Sequence, residues 1–125
     1  MPATKKTILL IEDDSFLLQM YATKLEVEGF EVISALSGVK GLQLLKKNKP
    51  DLILLDLLMP NMNGFEVLEK IKEDQEVKDI PVIILTNLGN REDVQRCLKI
   101  GATDYLIKAH FVPSEVIKKI RYIIG

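Results

Sequence analysis

Asp51-Leu52-Ile53-Leu54-Leu55-Asp56-Leu57-Leu58-Met59-Pro60 is the stretch that decides the fold of this chain. From Asp51 to Leu55 it is almost continuously apolar, the pattern of a short parallel strand covered on both faces. Asp56 stands where that strand must end. A carboxylate there costs free energy unless it is paired, hydrogen-bonded or bound to a metal. The plain alternative is a loop aspartate opening a turn before Pro60, and for a lone aspartate that reading is preferred. Only company from elsewhere in the chain overturns it.

Working outward, the same pattern recurs. Upstream, Thr7-Ile8-Leu9-Leu10-Ile11 is an apolar run that stops abruptly at Glu12-Asp13-Asp14. Downstream, Ile80 to Leu85 forms another, with Pro81 tolerated near its start, and ends at Thr86-Asn87. Ala102 to Ile107 ends at Lys108, and a further strand is expected over Phe30 to Ile33, with Ser34 to Gly38 as its connection. Between these runs the apolar spacing changes to the helical period. One helix runs from Ser15 to a stop at Gly29, with Leu17, Met20, Tyr21, Lys24 and Leu25 on one stripe. A second covers Val39 to Lys47, with Leu42 and Leu45 inward and basic residues at its negative dipole end. A third opens at Asn63, three residues before Glu66, in a variant of the capping box, and carries Phe65, Leu68 and Ile71. Asn90 is expected to cap a fourth, with a thin stripe of Val94, Cys97 and Leu98, and Pro113 opens a fifth with Val116, Ile117, Ile120 and Ile123 inward.

Five strands alternating with five amphipathic helices require a parallel sheet with helices on both faces, because each right-handed crossover places a helix between strands. The expected architecture is a three-layer α/β sandwich, and in such sheets ligands bind beyond the carboxyl ends of the strands. The residues just past those ends are Glu12-Asp13-Asp14, Asp56, Thr86-Asn87 and Lys108.

Size and composition narrow the function classes. The 125 residues are one domain's worth, with 47% hydrophobic content sufficient for a single core, so one domain over residues 1–125 is expected and no output domain after the last helix. One cysteine, Cys97, excludes a disulfide framework and any CxxC motif and fits a reducing compartment. A formal charge of -1 gives no global pull toward nucleic acid or an anionic membrane, so direct nucleic-acid binding is not expected. The start is polar, without a leader pattern, and no apolar run is long enough to span a bilayer. A soluble, cytoplasmic protein is expected.

The residues gathered at the strand ends form a constellation suited to phosphoryl transfer. Hard carboxylate oxygens suit Mg²⁺, a carboxylate can itself be the nucleophile, and the reaction needs mostly positioning and charge neutralisation. A metal on one side and a lysine on the other are sensible parts, and the Thr86 hydroxyl could bond a phosphoryl oxygen. Singly, each residue has a plainer role: Asp13 or Asp14 as a helix cap, Thr86 as a strand-end hydroxyl, Lys108 as a solvated side chain. Their joint placement at four strand ends is much harder to obtain by chance.

On these residues the sequence closely resembles the receiver domain of two-component response regulators, of the single-domain chemotaxis-receiver kind. The resemblance runs from Thr7 to Ile124 and rests on Glu12-Asp13, on Asp56 with Met59-Pro60 and Gly64 beyond it, and on Thr86, Tyr105 and Lys108. It implies a flavodoxin-like, doubly wound (βα)5 fold of strand order 2-1-3-4-5. It also implies that Asp56 accepts a phosphoryl group from a histidine kinase or phosphotransfer protein, with Thr86 and Lys108 assisting. Mg²⁺ would be held by Asp13, Asp56 and the main-chain carbonyl of Leu58, with Glu12 acting largely through water. Thr86 and Tyr105 would be the switch pair, changing the face of the fourth helix, fifth strand and fifth helix toward a downstream protein. Asp14 is expected to cap the first helix.

Several positions depart from the family pattern. Ala109 follows Lys108 where receivers usually carry a proline in a cis peptide bond; a cis bond before alanine costs about 3 kcal/mol, so the loop carries that cost or takes another path. Asn87 replaces a small residue, and Leu58 and Leu88 are apolar where polar groups are common. His110 is expected to be a surface histidine. The competing function is a pseudo-receiver, an interaction module not regulated by phosphorylation, against which the retained acids argue. An aspartate-nucleophile phosphatase would need a second acid where Leu58 stands, and three acids after the first strand would repel the phosphate of a flavin nucleotide.

Overall fold

A strand buried on both faces needs a neighbour on each edge and a layer on each side, and β3 (Leu52–Asp56), buried at all five residues, has both. In the computed structural model, which describes residues 5–87, 91–108 and 113–125, β3 pairs in parallel with β1 (Thr7–Ile11) and β4 (Val82–Thr86). With β2 (Glu31–Ala35) and β5 (Asp104–Ile107) at the edges, the sheet has the order β2-β1-β3-β4-β5. The crossovers are α1 (Ser15–Val27), α2 (Gly38–Asn48), α3 (Gly64–Glu73) and α4 (Arg91–Ile100), and α5 (Pro113–Ile124) follows β5. This is the expected flavodoxin-like three-layer α/β sandwich.

The period-two alternation of the strands divides the core into two layers. Leu9, Ile11, Ile53, Leu55, Val82 and Ile84 face one side and pack with Leu45 of α2, Leu68 and Ile71 of α3 and Cys97 of α4. Ile8, Leu10, Leu52, Leu54, Ile83 and Leu85 face the other and pack with Tyr21 and Leu25 of α1 and Val116 and Ile120 of α5. Side-chain caps fix where the helices start. Asp14 accepts from the backbone N–H groups of Phe16 and Leu17, Ser37 accepts from Lys40, and Asn63 and Glu66 form a reciprocal capping box.

The structure moves several expected boundaries. β2 runs to Ala35 rather than stopping at Ile33, because its ladder with β1 continues through Leu10↔Ser34 and Ile11↔Ala35; on an edge strand a polar serine does not end pairing. α2 starts one residue early, after the Ser37 cap, and runs to Asn48, where Lys49 takes a left-handed conformation with φ 44°. β4 begins after Pro81 and includes Thr86, and β5 begins at Asp104, with Ala102 leading into it. Lys24 is exposed rather than on the inward stripe of α1, and Leu98 of α4 is 43% exposed. The expected Asn90 cap, and the readings placed on Leu88, Ala109 and His110, lie outside the described residues. Among the described residues no helix is long and apolar enough to cross a membrane.

Candidate functional site

The chain crosses from one side of the sheet to the other between β1 and β3, and the crevice at their carboxyl ends is where a doubly wound sheet places its ligand. Glu12 follows β1 directly and is completely buried; its backbone N–H donates to the Ala35 carbonyl at 3.0 Å, which extends the β1–β2 ladder by one bond. Asp13, the next residue, is exposed, and Asp14 is the α1 cap. Asp56 is the last residue of β3 and Thr86 the last of β4, and both are buried. Lys108 follows Ile107, which pairs with Thr86, so its long stem must reach across the end of β4 to arrive at β3. It does so. Its Nζ lies 2.6 Å from Glu12 Oε1 and 3.0 Å from Asp56 Oδ1, and its side chain is 8% exposed.

One carboxylate oxygen from each of Glu12, Asp13 and Asp56 lies within 4.8 Å of the others. Among the described residues Lys108 is the one cation paired with this cluster, through Glu12 and Asp56, so the three carboxylates carry a negative excess. Burial pushes the Asp56 carboxyl up to about 8; the adjoining Glu12 carboxyl adds to the rise, and Lys108 offsets only part of it. For Lys108 burial works toward a lower value, but the hydrogen bonds to Glu12 and Asp56 outweigh it and raise the ammonium above its ordinary range. The donor set fits a small hard cation: carboxylate oxygens with no nitrogen or sulfur among them, a negative excess to neutralise, and one exposed member, Asp13, that leaves room for coordinated water.

The loop after Asp56 is tied down at both ends. Leu57 N–H donates to the Leu85 carbonyl at 3.0 Å, and Gly64 N–H donates to the Leu57 carbonyl at 2.8 Å. Between these ties Asn61 is left-handed, with φ 67°. Leu57 is buried, whereas Leu58 is 59% exposed. Asn87, one residue past Thr86, is exposed. Tyr105 does not enter the crevice. It is 37% exposed on β5, with the Lys119 ammonium 6.0 Å from its ring centroid, and it lines a groove with Val94 and Leu98 of α4.

The structure thus brings Glu12, Asp13, Asp56 and Lys108 together directly, with Thr86 at the adjoining strand end and Tyr105 on the outer side of the next strand. Two features escaped the sequence reading. Lys108 makes its shorter contact with Glu12 rather than with Asp56, and the buried phenol of Tyr21 is part of the site's electrostatics. Burial raises the Tyr21 pKa, Lys108 works against that rise, and Glu12 and Asp56 add to it. The available signal was a tyrosine on the inward stripe of the helix that starts beside the acidic strand end; a hydroxyl on such a stripe needs a polar neighbour.

The sequence matches the response regulator receiver domain over residues 8–121. The chain belongs to this family. As a receiver it is similar to the DNA-binding dual master transcriptional regulator RpaA of Synechocystis, 39% identical over 114 residues that cover 91% of this chain and 47% of that protein. It is also 34% identical over 119 residues to the phosphate regulon transcriptional regulatory protein PhoB of Pseudomonas aeruginosa, covering 95% of this chain and 52% of PhoB. The chain spans about half the length of these curated relatives. Among solved structures, the chemotaxis protein CheY4 of Vibrio cholerae superposes with a TM-score of 0.90 at 29% identity, over 96% of this chain and 99% of that one. The receiver domain of the Francisella response regulator 1452 gives 0.88 at 31%, over 96% and 97%. Receivers are signalling switches of two-component systems, regulated by phosphorylation; this chain has their fold and carries an acidic cluster of Glu12, Asp13 and Asp56.

Proposed function

We propose that this receiver, acting as one unit over residues 1–125 in the cytoplasm, takes a phosphoryl group on Asp56 from the phosphohistidine of a sensor histidine kinase or a phosphotransfer protein, in a Mg²⁺-dependent reaction. An Asp56 carboxylate oxygen attacks phosphorus, the P–N bond breaks, and its electron pair returns to the imidazole nitrogen. Asp13, Asp56 and the Leu58 carbonyl would hold the cation, with Glu12 supporting it largely through water, and Mg²⁺ held there would supply charge neutralisation for the transferring oxygens. Lys108, already within the crevice, exchanges its Asp56 contact for a phosphoryl oxygen, and Thr86 donates its hydroxyl to another. Movement of Thr86 and Tyr105 then alters the α4-β5-α5 face that a downstream protein reads, a redistribution between existing states. The protein catalyses its own phosphorylation and dephosphorylation and turns over no separate substrate.

The observation that carries this reading is the convergence of Glu12, Asp13 and Asp56 on one point, with the Lys108 ammonium 3.0 Å from Asp56. Intact mass after incubation with acetyl phosphate and Mg²⁺ tests it. Wild type should gain one phosphoryl mass and Asp56→Asn none. A shift retained in Asp56→Asn would move the acceptor elsewhere, and none in wild type would favour the pseudo-receiver.

A further inference from the structure

The loop leading away from Asp56 closes on a glycine whose missing side chain is replaced by the site's own backbone. A Cβ added at Gly64 would lie 2.5 Å from the Asp56 carbonyl oxygen, 2.6 Å from Leu57 Cα and 3.0 Å from the Leu57 carbonyl oxygen. All three are main-chain atoms of the segment carrying the acceptor, so none can rotate away as a side-chain tip would. Gly64 is needed here for space and not for an unusual backbone angle, since its φ is not among the positive ones. The close approach is what lets Gly64 N–H reach the Leu57 carbonyl at 2.8 Å. With Leu57 tied to Leu85, Asn61 left-handed and the Asn63–Glu66 box fixing the first turn of α3, the loop has little freedom left. Leu58 is one residue from the tied end.

We propose that Gly64 is a positioning residue for the metal: by letting the start of α3 lie against Asp56 and Leu57, it fixes the direction of the Leu58 carbonyl and so sets the affinity and selectivity of the site for Mg²⁺. This rests on the reading of Asp13, Asp56 and the Leu58 carbonyl as the cation's ligands. Any side chain at Gly64 forces the helix start and the loop apart by about 1 Å to restore ordinary contact distances. Mg²⁺ demands a near-ideal octahedron with short bonds, whereas Ca²⁺ accepts more ligands at longer and more variable distances. A displaced carbonyl therefore penalises Mg²⁺ more than Ca²⁺.

The test is calorimetric titration of the metal-free protein with Mg²⁺ alone and with Ca²⁺ alone, beside urea unfolding. Gly64→Ala should weaken Mg²⁺ by about 10-fold or more, the scale seen when a ligand's support is removed, and Ca²⁺ by clearly less. Gly41→Ala is the control for crowding, because the three atoms nearest a Cβ there all belong to the flexible side chain of Ile11 in the core and not to main chain; it should lose stability and keep wild-type Mg²⁺ affinity. Wild-type Mg²⁺ affinity in Gly64→Ala, or equal losses in both alanine variants or for both ions, would overturn the proposal. Should Gly64→Ala not fold, Asn63→Ala decides, since losing the cap loosens the same loop end: a selective fall in Mg²⁺ affinity supports the role and an unchanged one removes it. Asp13→Asn separates the two levels. If it binds Mg²⁺ as wild type does, or wild type does not bind, the site reading fails, and the role of Gly64 with it; if Asp13→Asn alone loses Mg²⁺, the site stands and only Gly64 is dismissed.

Discussion

Leu58, two residues past the carboxylate proposed as acceptor, holds a largely exposed apolar side chain. An acyl phosphate on Asp56 is lost when water attacks in line, and a branched apolar side chain two residues further along the chain is placed to hinder that water. Leu58→Asn should therefore speed loss of the phosphoryl mass after donor removal by roughly 2- to 10-fold, the effect of replacing a shield with a group that orients water. Decay as slow as wild type would remove Leu58 from control of lifetime. At this scale the sequence was informative wherever a residue's position follows from a strand end: Glu12, Asp13, Asp56 and Thr86 sit as the strand pattern requires. It was silent where reach decides. That Lys108 bonds Glu12 more closely than Asp56 depends on how a long side chain threads past β4, and Tyr21, buried on the inward stripe of α1, enters the site's electrostatics through Lys108, Glu12 and Asp56, a relation between elements far apart in the sequence.

α4 is held to the sheet by a narrow seam, and the sequence showed as much in its thin apolar stripe. Only Val94 and Cys97 of α4 are buried, and Leu98, expected inward, lies at the edge of the groove shared with Tyr105. The strands and the other helices were legible because burial on two faces or on a broad stripe leaves a strong pattern. β2 and α4 were less so because an edge strand and a narrow seam tolerate polar residues. What supplements the α4 seam is Arg96, whose guanidinium lies 4.0 Å over the Phe65 ring and 3.8 Å from Glu69, joining α4 to the first turns of α3. Such a contact, half exposed, contributes about 0.5–1 kcal/mol. Cys97, adjacent to it, reports on α4 directly: burial pushes its thiol up to about 11, so the native protein should resist disulfide-exchange reagents near neutral pH. Arg96→Ala should raise the Cys97 labelling rate by roughly 2- to 5-fold through easier local opening of α4. A wild-type rate in the variant would show that α4 is held by its sheet contacts alone.

For the whole molecule, the acidic cluster ties folding to both protons and metal, and the sign of each follows from Asp56. Its folded value of about 8 stands above the unfolded 3.8, so the metal-free native state holds a proton that the unfolded chain releases. The stability this supplies is complete below about pH 4 and is lost as pH rises through about 8. In EDTA, metal-free stability should therefore decline from about pH 6 to about pH 8, by on the order of 2 kcal/mol, the slope easing near pH 8 as the native carboxyl itself ionises. Mg²⁺ acts in the opposite direction. It requires the ionised carboxylate, which at about pH 8 is already present in about half of the molecules, so binding there displaces only about half a proton, and at a hundred times its Kd at that pH it should add about 2.7 kcal/mol. At about pH 6 the same Mg²⁺ must first expel the proton, and the gain should shrink by on the order of 1–2 kcal/mol. Urea unfolding at both pH values, with EDTA and with excess Mg²⁺, reads all four stabilities. Asp13→Asn should abolish the Mg²⁺ increment and retain the metal-free decline, since Asp56, Glu12 and Lys108 are untouched. Mg²⁺ increments that are equal at the two pH values would mean that Asp56 is already ionised in the metal-free protein, and that Lys108 neutralises the crevice more completely than its single charge against three carboxylates suggests.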